Sequence, residues 1–358
     1  AKFHLKNKKE IIKEYQNSIN KELATNQKKY LFGKSTKVED PVNFSSELSI
    51  SIKDFIIHSV IGKGSFGEVY LVEKKDSGIY YAAKCLLKSR IVKDNLQKYV
   101  ITERNILSEI RHPFIIKLHY AFQNNKYLFL VMDYHPGYDL GMYLQNEVRF
   151  SERRARMYIS EIILAIEELH KLNIIYRDLK PENLLLDSEG HIVLIDFGLA
   201  KENIVKENMG AKSFCGSVAY LAPEMISKLG HGKSIDYYLL GVVLYEMVTG
   251  LPPFYSDYKE ELFYNIQNNT IEFPEYLSPD LKQLLTDLLN KNPLDRPNIE
   301  KIKKYKWFKD ISWDEVYRRE LKLHKPEIKN IELNKRKNNL DCLLPDYFRL
   351  NNWTFIDD

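Results

Sequence analysis

The sequence has few cysteines, no long apolar run and no large excess of one charge. Its three cysteines, Cys85, Cys215 and Cys342, are too scattered for a disulfide framework or a CxxC metal site. Charged residues interrupt each apolar run well before the ~18 residues that a transmembrane helix needs. The 53 Lys and Arg residues against 49 Asp and Glu leave a net charge of +4, too small to predict a nucleic-acid partner. We therefore expect no transmembrane segment and a reducing compartment, the cytoplasm, with the nucleus as a second location.

The composition is that of a folded protein, but its character changes along the chain. Hydrophobic residues make up 44% and charged residues 28%, which argues against wholesale disorder. Residues 1–53 form a polar extension in which Ile11, Tyr15, Ile19 and Leu23 recur every four residues. That spacing places them on one helical face. The residues alone leave open whether this is a solvated helix or a helix docked on the globular body.

From residue 54 the pattern predicts a small, mostly antiparallel sheet with one helix. The predicted strands span residues 55–61, 68–73, 79–86, 115–122 and 127–132. Apolar positions from Leu96 to Ile110 recur at helical spacing and predict the helix.

After residues 136–137 the pattern becomes helical. The predicted helices are an apolar stripe within 155–169, a segment at 237–248 that is apolar nearly all round, and segments at 258–268, 278–290 and 298–307. Residues 309–358 lack a clear period and are interpreted as an extended tail. We therefore predict an α+β, bilobal fold over 54–308, with a β-rich N-lobe at 54–133 and a larger helical C-lobe at 136–308. Ligand sites favour the junction of two such lobes.

A glycine-rich segment, Gly62-Lys63-Gly64-Ser65-Phe66-Gly67, follows the first predicted strand. Glycines let a backbone turn approach phosphates closely, because no Cβ intervenes. A dinucleotide-binding fold needs a helix after the glycines, whereas a strand follows here. The segment by itself fits either a phosphate-binding hairpin or a plain glycine hairpin, so other motifs must decide.

Five further features follow in order along the chain. They are Lys84 at the end of Tyr-Ala-Ala-Lys, Glu103 on the next predicted helix, Tyr-Arg-Asp-Leu-Lys-Pro-Glu-Asn at 176–183, Asp-Phe-Gly at 196–198 and Ala-Pro-Glu at 222–224. Together with the glycine segment, this set and its order resemble the signature motifs of eukaryotic protein kinases over about residues 54–308. The resemblance implies phosphoryl transfer from ATP, with Mg²⁺, to a protein hydroxyl.

The resemblance implies a catalytic role for each matching residue. Lys84, positioned by Glu103, would hold the α- and β-phosphates of ATP. Asp178 would accept the proton of the substrate hydroxyl or orient that hydroxyl. Lys180 would steady the transferring phosphate, and a lysine at this position is expected in Ser/Thr rather than Tyr kinases.

The resemblance also implies the nucleotide and metal sites. Asn183 and Asp196 would bind Mg²⁺ through the oxygen ligands that this ion prefers. Met132 is the expected gatekeeper, and residues 133–135 are the expected hinge. The residues implied to bind ATP are Ile61, Gly62, Gly64, Gly67, Val69, Ala82, Lys84, Met132, Asp133, His135, Asp139 and Leu185.

Within the kinase family, the sequence is similar to the AGC group, which includes the cyclic-nucleotide-dependent kinases and protein kinase B. Tyr176 replaces the His that usually precedes Arg-Asp. Residues 213–224 are similar to the group's Thr-Phe-Cys-Gly-Thr-Pro-Glu-Tyr-Leu-Ala-Pro-Glu, although Val-Ala replaces Pro-Glu at 218–219. Glu224 is implied to pair with Arg296 and to anchor this segment, a structural rather than a catalytic role.

The AGC resemblance implies a basic substrate. Asp139, Glu182 and Glu246 match the carboxylates that receive basic residues upstream of the phosphoacceptor. Carboxylates pair well with the planar guanidinium, so arginine three residues before the Ser or Thr (position −3) is expected. An apolar pocket for the residue just after the acceptor is expected from Phe214, Val218 and Leu221.

The same resemblance implies two regulatory phosphosites. Phosphorylated Ser213 would bind Arg177 and order its loop. Thr354 lies in Leu-Asn-Asn-Trp-Thr-Phe, where Trp353 and Phe355 would dock into an N-lobe groove beside the Glu103 helix. The alternative for this last segment is a frayed terminus with incidental aromatic residues.

Taken together, these features predict an AGC-type Ser/Thr protein kinase. Its expected partners are protein substrates with basic motifs, an upstream activating kinase and a regulatory subunit. One alternative is a calmodulin-regulated-type kinase, which would carry a basic amphipathic helix beyond residue 309; the basic residues in 315–325 keep it open. The other is a kinase-like scaffold, against which the intact Lys84, Asp178 and Asp196 argue.

Overall fold

The computed structural model describes residues 50–64, 67–211, 213, 215–328, 340 and 348–357. The chain divides into two compact units. The strand-rich unit contains residues 50–110 and 117–134, with tail residues 340 and 348–357, and the helical unit contains residues 111–116 and 135–328. The predicted division into a β-rich and a helical part is thus confirmed. The helix predicted at 11–23 lies outside the described residues.

The described residues form eight strands and ten α-helices. The strands are β1 (Phe55–Gly64), β2 (Gly67–Lys74), β3 (Tyr80–Leu87), β4 (Leu118–Gln123), β5 (Tyr127–Asp133), β6 (Leu184–Leu186), β7 (Ile192–Leu194) and β8 (Phe355–Ile356). The helices are α1 (Lys88–Lys93), α2 (Gln97–Glu109), α3 (Leu140–Glu147), α4 (Glu152–Lys171), α5 (Pro223–Ile226), α6 (Ser234–Thr249), α7 (Lys259–Asn268), α8 (Pro279–Leu288), α9 (Ile299–Ile302) and α10 (Trp313–Tyr317). No helix in these parts of the chain is both long and apolar enough to cross a membrane.

The strand-rich unit is built on one antiparallel sheet in the order β1-β2-β3-β5-β4-β8. One of its faces buries aromatic side chains, among them Phe55, Tyr81, Phe122 and Phe129, and tail residue Leu340 packs into the same cluster. The rings of Phe122 and Phe129 stack at 4.9 Å between centroids. Since large aromatic side chains bury much apolar area, this cluster provides a rigid platform for the functional residues on the neighbouring strands.

The helical unit is organised around α4 and α6. Ser151 caps α4 by accepting a hydrogen bond from the Arg154 amide at 3.3 Å, and the apolar stripe of the helix is buried. Helix α6 is buried nearly all round, as its sequence predicts. It ends at Gly250, whose φ of +88° is left-handed and where a Cβ would lie 2.2 Å from the Val148 carbonyl oxygen. Only glycine satisfies both conditions.

Several predicted boundaries were wrong for identifiable reasons. Ile115 and Ile116 do not continue β4, because Ile115 bridges to Leu194 and the Ile116 amide donates to the Leu194 carbonyl at 3.0 Å. The helix predicted at 298–307 is only α9 followed by a 3₁₀ turn at Lys306–Phe308. The short helices α1, α3, α5 and α10 were not predicted, since one or two turns carry too little periodicity.

Candidate active site

The glycine segment forms the hairpin between β1 and β2, with Gly64 opposite Gly67. Ser65 and Phe66 lie outside the described residues. A Cβ on Gly67 would lie 1.8 Å from the Cys85 carbonyl oxygen of β3. The third glycine is therefore required by the close approach of the neighbouring strand, in addition to the role implied by the resemblance.

The strand register brings the predicted nucleotide-binding residues of this unit side by side. Val69 lies opposite both Gly62 of β1 and Lys84 of β3. Ala82 lies opposite Met132 of β5. Ile61 precedes Gly62 on β1, and Asp133 is the last residue of β5.

Lys84 pairs with Glu103, as predicted. Its Nζ donates to Glu103 Oε1 at 2.6 Å, and the glutamate on α2 is buried. A buried carboxylate requires such a partner, because an isolated charge is costly to remove from water. The pair fixes the position of the ammonium group relative to the sheet.

In the helical unit, the side chains of Lys180 and Asn183 converge on the Asp178 carboxylate. Lys180 Nζ and Asn183 Nδ2 each lie 2.9 Å from Asp178 Oδ2. Lys180 Nζ also donates to Ser217 Oγ at 3.2 Å. Burial raises the pKa of Asp178, opposed by the Lys180 charge. A positioned carboxylate with a raised pKa is suited to accept a proton from a hydroxyl group.

Asp236 was not among the predicted site residues, yet it holds the backbone at Tyr176 and Arg177 through hydrogen bonds. Its carboxylate accepts from the Tyr176 amide at 3.0 Å, the Arg177 amide at 2.9 Å and His170 Nε2 at 2.7 Å. Arg177 has a left-handed φ of +69°, a conformation that persists only where surrounding contacts hold it. The sequence signal is an aspartate at the start of an otherwise apolar helix, α6.

Asn183 and Asp196 offer oxygen atoms suited to Mg²⁺. The Asn183 amide donates through Nδ2 to Asp178, so Oδ1 is the atom that this side chain can offer to a cation. Asp196 has a left-handed φ of +58°, and its Oδ1 accepts from the Gly198 amide at 3.3 Å. The next residue, Phe197, is fully buried against Tyr176. Both donors fit Mg²⁺, which binds proteins through few side-chain oxygens together with water and phosphate.

The segment between residues 199 and 224 is held by Arg177. The guanidinium donates to the Leu199 carbonyl at 2.7 Å and to Ser213 Oγ at 2.5 Å. His231 lies 3.5 Å from the same guanidinium, and burial together with the Arg177 charge lowers the pKa of His231 to about 4. Ser213 therefore already lies at a cationic position, which is what the predicted phosphosite requires.

The predicted pair of Glu224 and Arg296 is confirmed. Arg296 Nη1 donates to Glu224 Oε1 and Arg296 Nη2 donates to Glu224 Oε2, each at 2.7 Å, and both residues are buried. The guanidinium also donates to the carbonyls of Ser234 and Asn290. This bidentate geometry is the strong form of the interaction.

The three acidic residues predicted to bind the basic substrate, Asp139, Glu182 and Glu246, lie in the helical unit. Burial and neighbouring carboxyl groups raise the pKa of Glu182 and of Glu246. Asp139 caps α3 by accepting from the Met142 amide at 2.9 Å and bridges to Leu185. Burial, with Asp139 and Asp178 nearby, raises the pKa of Glu182. Burial and the nearby Glu182 raise the pKa of Glu246 to about 8. Glu246 is buried, whereas Asp139 and Glu182 are half-buried, and this concentration of carboxyl groups is suited to attract a cation.

For the remaining predicted site residues, the structure gives their burial and their place in the fold. Val218 is half-buried in a 3₁₀ turn and Leu221 is buried just after it. Phe214 lies outside the described residues. His135 is half-buried in the helical unit.

The end of the tail docks on the strand-rich unit, so the frayed-terminus alternative is wrong. Trp353 is only 2% exposed, and its Nε1 donates to the Phe122 carbonyl at 2.9 Å. Arg104, the neighbour of Glu103 on α2, donates to the carbonyls of Trp353 and Thr354. Phe355 pairs with Ala121 in the β4–β8 ladder. The side chain of Thr354 remains exposed.

Comparisons with known proteins agree with this geometry. Residues 55–308 match the family described as Protein kinase domain. A RAC family serine/threonine-protein kinase homolog of Dictyostelium discoideum is 42% identical over 300 residues, covering 83% of this chain and 67% of that protein. Serine/threonine-protein kinase Sgk1 of Macaca fascicularis is 44% identical over 273 residues, covering 75% of this chain and 63% of its own length. Serine/threonine-protein kinase YPK2/YKR2 of Saccharomyces cerevisiae is 40% identical over 332 residues, covering 88% and 49%. The chain thus spans about half to two thirds of the length of these relatives.

Proposed function

Because this chain belongs to the protein kinase family, among its AGC-type serine/threonine kinases, we propose that it transfers the γ-phosphate of ATP, with Mg²⁺, to Ser or Thr hydroxyls that follow arginine at −3. The observation that carries the proposal is the convergence of Lys180 and Asn183 on the Asp178 carboxylate. Catalysis of phosphoryl transfer consists mainly of alignment and charge neutralisation, and this arrangement supplies both.

In the proposed reaction, the substrate hydroxyl oxygen attacks the γ-phosphorus and its proton passes to Asp178. The bond between the γ-phosphorus and the oxygen that bridges it to the β-phosphate breaks, and ADP leaves. Lys180 neutralises charge on the transferring group, and Lys84 holds the α- and β-phosphates. Asn183 and Asp196 would hold Mg²⁺, which would neutralise phosphate charge. The remaining predicted nucleotide-binding residues would position the adenine and ribose.

The intact Lys84–Glu103 pair argues against the scaffold alternative. The Lys84 ammonium lies 2.6 Å from the buried Glu103 carboxylate, as a lysine that positions ATP phosphates would require. The calmodulin-type alternative requires a basic amphipathic helix beyond residue 309. Among the residues beyond 309 that the structure describes, the one helix is α10, which has only five residues, and Arg319 after it bonds Asp187 of the helical unit.

The proposed preference for arginine at −3 predicts a pH dependence that comes from Glu246. With a pKa raised to about 8 by burial, Glu246 is largely protonated at pH 7, and an arriving guanidinium favours its ionised form. The KM for a peptide with arginine at −3 should therefore fall about 10-fold as the pH rises from 6.5 to 8.5. Steady-state kinetics across this pH range would measure it.

Two matched controls isolate this effect from the pH dependence of the reaction itself. A peptide with citrulline at −3 keeps the shape of arginine without its charge, and its KM should not fall. The Glu246→Gln variant retains an acceptor for Tyr220, which donates to Glu246 Oε2 at 2.5 Å, and should also give a flat profile. A positional peptide library that selects proline or acidic residues instead would contradict the proposed substrate class.

We also propose that phosphorylation of Ser213 activates the kinase. A phosphate would bring about −1.5 to −2 charges to the Arg177 guanidinium, which already lies 2.5 Å from the hydroxyl. The Ser213→Ala variant should lose at least about 10-fold in kcat/KM relative to phosphorylated wild type. Intact mass spectrometry would confirm the phosphorylation state of each sample.

The controls for Ser213 are Ser213→Thr, which keeps a phosphorylatable hydroxyl, and Ser256→Ala at a serine in the same unit that bonds Glu261. Both should retain activity. Full activity of Ser213→Ala would refute the proposed switch. An upstream activating kinase and a regulatory subunit remain the proposed partners.

Thr354 is the second proposed phosphosite. Its side chain is exposed, while the Arg104 guanidinium donates to its carbonyl at 3.0 Å. A phosphate on Thr354 would find this guanidinium nearby and strengthen tail docking beside α2, which carries Glu103.

A further inference from the structure

His231 is a buried histidine that the proposed reaction does not use. It lies between α5 and α6 and is only 2% exposed. Its Nε2 lies 3.5 Å from Nη1 of Arg177, and the same Nη1 donates to Ser213 Oγ at 2.5 Å. Because the imidazole and the hydroxyl share one guanidinium nitrogen, they lie no more than about 6 Å apart, which is close to the distance that a phosphoryl oxygen on Ser213 covers with one hydrogen bond of ordinary length.

The backbone holds His231 in register with the segment that carries Ser213. Ala211, two residues before Ser213, exchanges two backbone hydrogen bonds with His231, each at 2.9 Å. The next residue, Gly232, packs so closely on this segment that a Cβ there would lie 2.2 Å from the Lys206 carbonyl oxygen. The imidazole is thus placed beside Ser213 before any phosphate arrives, which lowers the entropic cost of forming a further bond.

The imidazole is neutral while this segment is unphosphorylated. An arginine nitrogen can only donate, so His231 Nε2 presents its lone pair to Arg177. Burial and the Arg177 charge lower the pKa of His231 to about 4. The other charged groups that face His231 are Lys201, which also lowers this pKa, and Glu224 and Asp236, which raise it. The balance of burial and charge therefore keeps the ring neutral at pH 7.

We propose that His231 is a second ligand of a phosphate on Ser213, an inference that rests on the proposed phosphorylation of this serine. A phosphate brings about −1.5 to −2 charges, more than the single positive charge of Arg177, so the local potential at the imidazole changes sign. The ring then takes up a proton from water at Nε2 and donates to a phosphate oxygen, while Arg177 donates to the same phosphate. Charge-assisted hydrogen bonds of this kind are shorter and stronger than neutral ones. Protonation of His231 and phosphorylation of Ser213 thus stabilise each other.

An NMR titration of the histidine imidazoles in the full chain tests this ligand. Phosphoserine is incorporated at residue 213 during translation, and the resonance of His231 among the nine histidines is identified with His231→Gln and His231→Asn. The pKa of His231 should rise from about 4 to above its ordinary value of about 6.5. Phosphoserine in place of Ser256, which bonds Glu261, should leave the titration of His231 unchanged. A pKa that stays below the ordinary value in the chain with phosphoserine at 213 would overturn the proposal.

Thermal stability gives a second readout, which a mere packing role of His231 would not change. With a pKa above its ordinary value of about 6.5, the protonated ring adds stability that is present at low pH and is lost as the pH rises through the raised pKa. The gain in Tm from phosphoserine at 213 should therefore be at least about 2 °C larger at pH 6 than at pH 8.5. His231→Gln places an uncharged amide near the position of Nε2, and its gain should not fall with rising pH. A gain in wild type that does not fall with rising pH would contradict the proposal.

These two measurements separate the second ligand from the proposed switch, because neither requires phosphoryl transfer. A raised pKa of His231 in a chain that phosphoserine at 213 fails to activate would refute the switch and leave the phosphate ligand in place. Activation by phosphoserine at 213 together with an unchanged pKa of His231 would overturn the second ligand alone, with Arg177 as the residue that binds the phosphate.

Discussion

Replacing Asp178 by Asn is expected to lower kcat by about 10³- to 10⁴-fold, with little change in the KM for ATP. Asparagine keeps the size of the side chain but removes both the negative charge and the ability to accept the hydroxyl proton. Because burial raises the pKa of Asp178, wild-type activity should also fall with decreasing pH while the pH is still above the usual carboxylate range of about 4. Steady-state phosphoryl transfer at several pH values measures both effects.

The matched control is Asp280→Asn, a partly exposed aspartate at the start of α8. It should retain wild-type kcat, and circular dichroism should show that both variants remain folded. Removal of a general base lowers kcat by more than about 10-fold. A kcat of Asp178→Asn within about 10-fold of wild type would therefore contradict the role assigned to this carboxylate.

Replacing Arg296 by Ala is expected to destabilise the helical unit by about 3–5 kcal/mol, because it leaves the Glu224 carboxylate buried without its partner. The loss is large because Arg296 also donates to the carbonyls of Ser234 and Asn290. For a unit of this size, the Tm should fall by about 10 °C. Differential scanning fluorimetry, with hydrogen exchange to identify the affected unit, measures the change.

An exposed ion pair provides the control. Arg318 Nε donates to Glu320 Oε1 at 2.8 Å, but both side chains are more than half exposed. Arg318→Ala should leave the Tm close to that of wild type, because water screens an exposed ion pair. The double variant Glu224→Gln, Arg296→Met should recover part of the loss, since no buried charge remains. A Tm of Arg296→Ala equal to that of Arg318→Ala would refute the structural role of the pair.

The sequence predicted those parts of the site in which chemistry restricts the residue type. Lys84 with Glu103 and Glu224 with Arg296 were expected from motif resemblance, and both pairs form. The apolar character of α6 likewise predicted a buried helix. In each case the local pattern and the tertiary environment impose the same requirement, so the pattern carries the information.

Other features depend on contacts between distant segments that no local pattern records. Asp236 organises the backbone of Tyr176 and Arg177 from about 60 residues away in sequence. Strand β8 has two residues and forms only because it adds to the edge of β4. Ile115 and Ile116 carry a strand pattern, but Ile115 bridges to Leu194 and the Ile116 amide donates to the Leu194 carbonyl, not to β5. Tertiary pairing overrides local propensity at these positions.

The proposed kinase function is tested by ATP- and Mg²⁺-dependent phosphorylation of a serine peptide with arginine at −3, comparing wild type with Asp196→Ala. The sample should be phosphorylated on Ser213 and Thr354, as verified by mass spectrometry. Robust transfer by wild type and its loss in the variant are expected. Absence of transfer by phosphorylated wild type, or undiminished transfer by Asp196→Ala, would contradict the proposed kinase function.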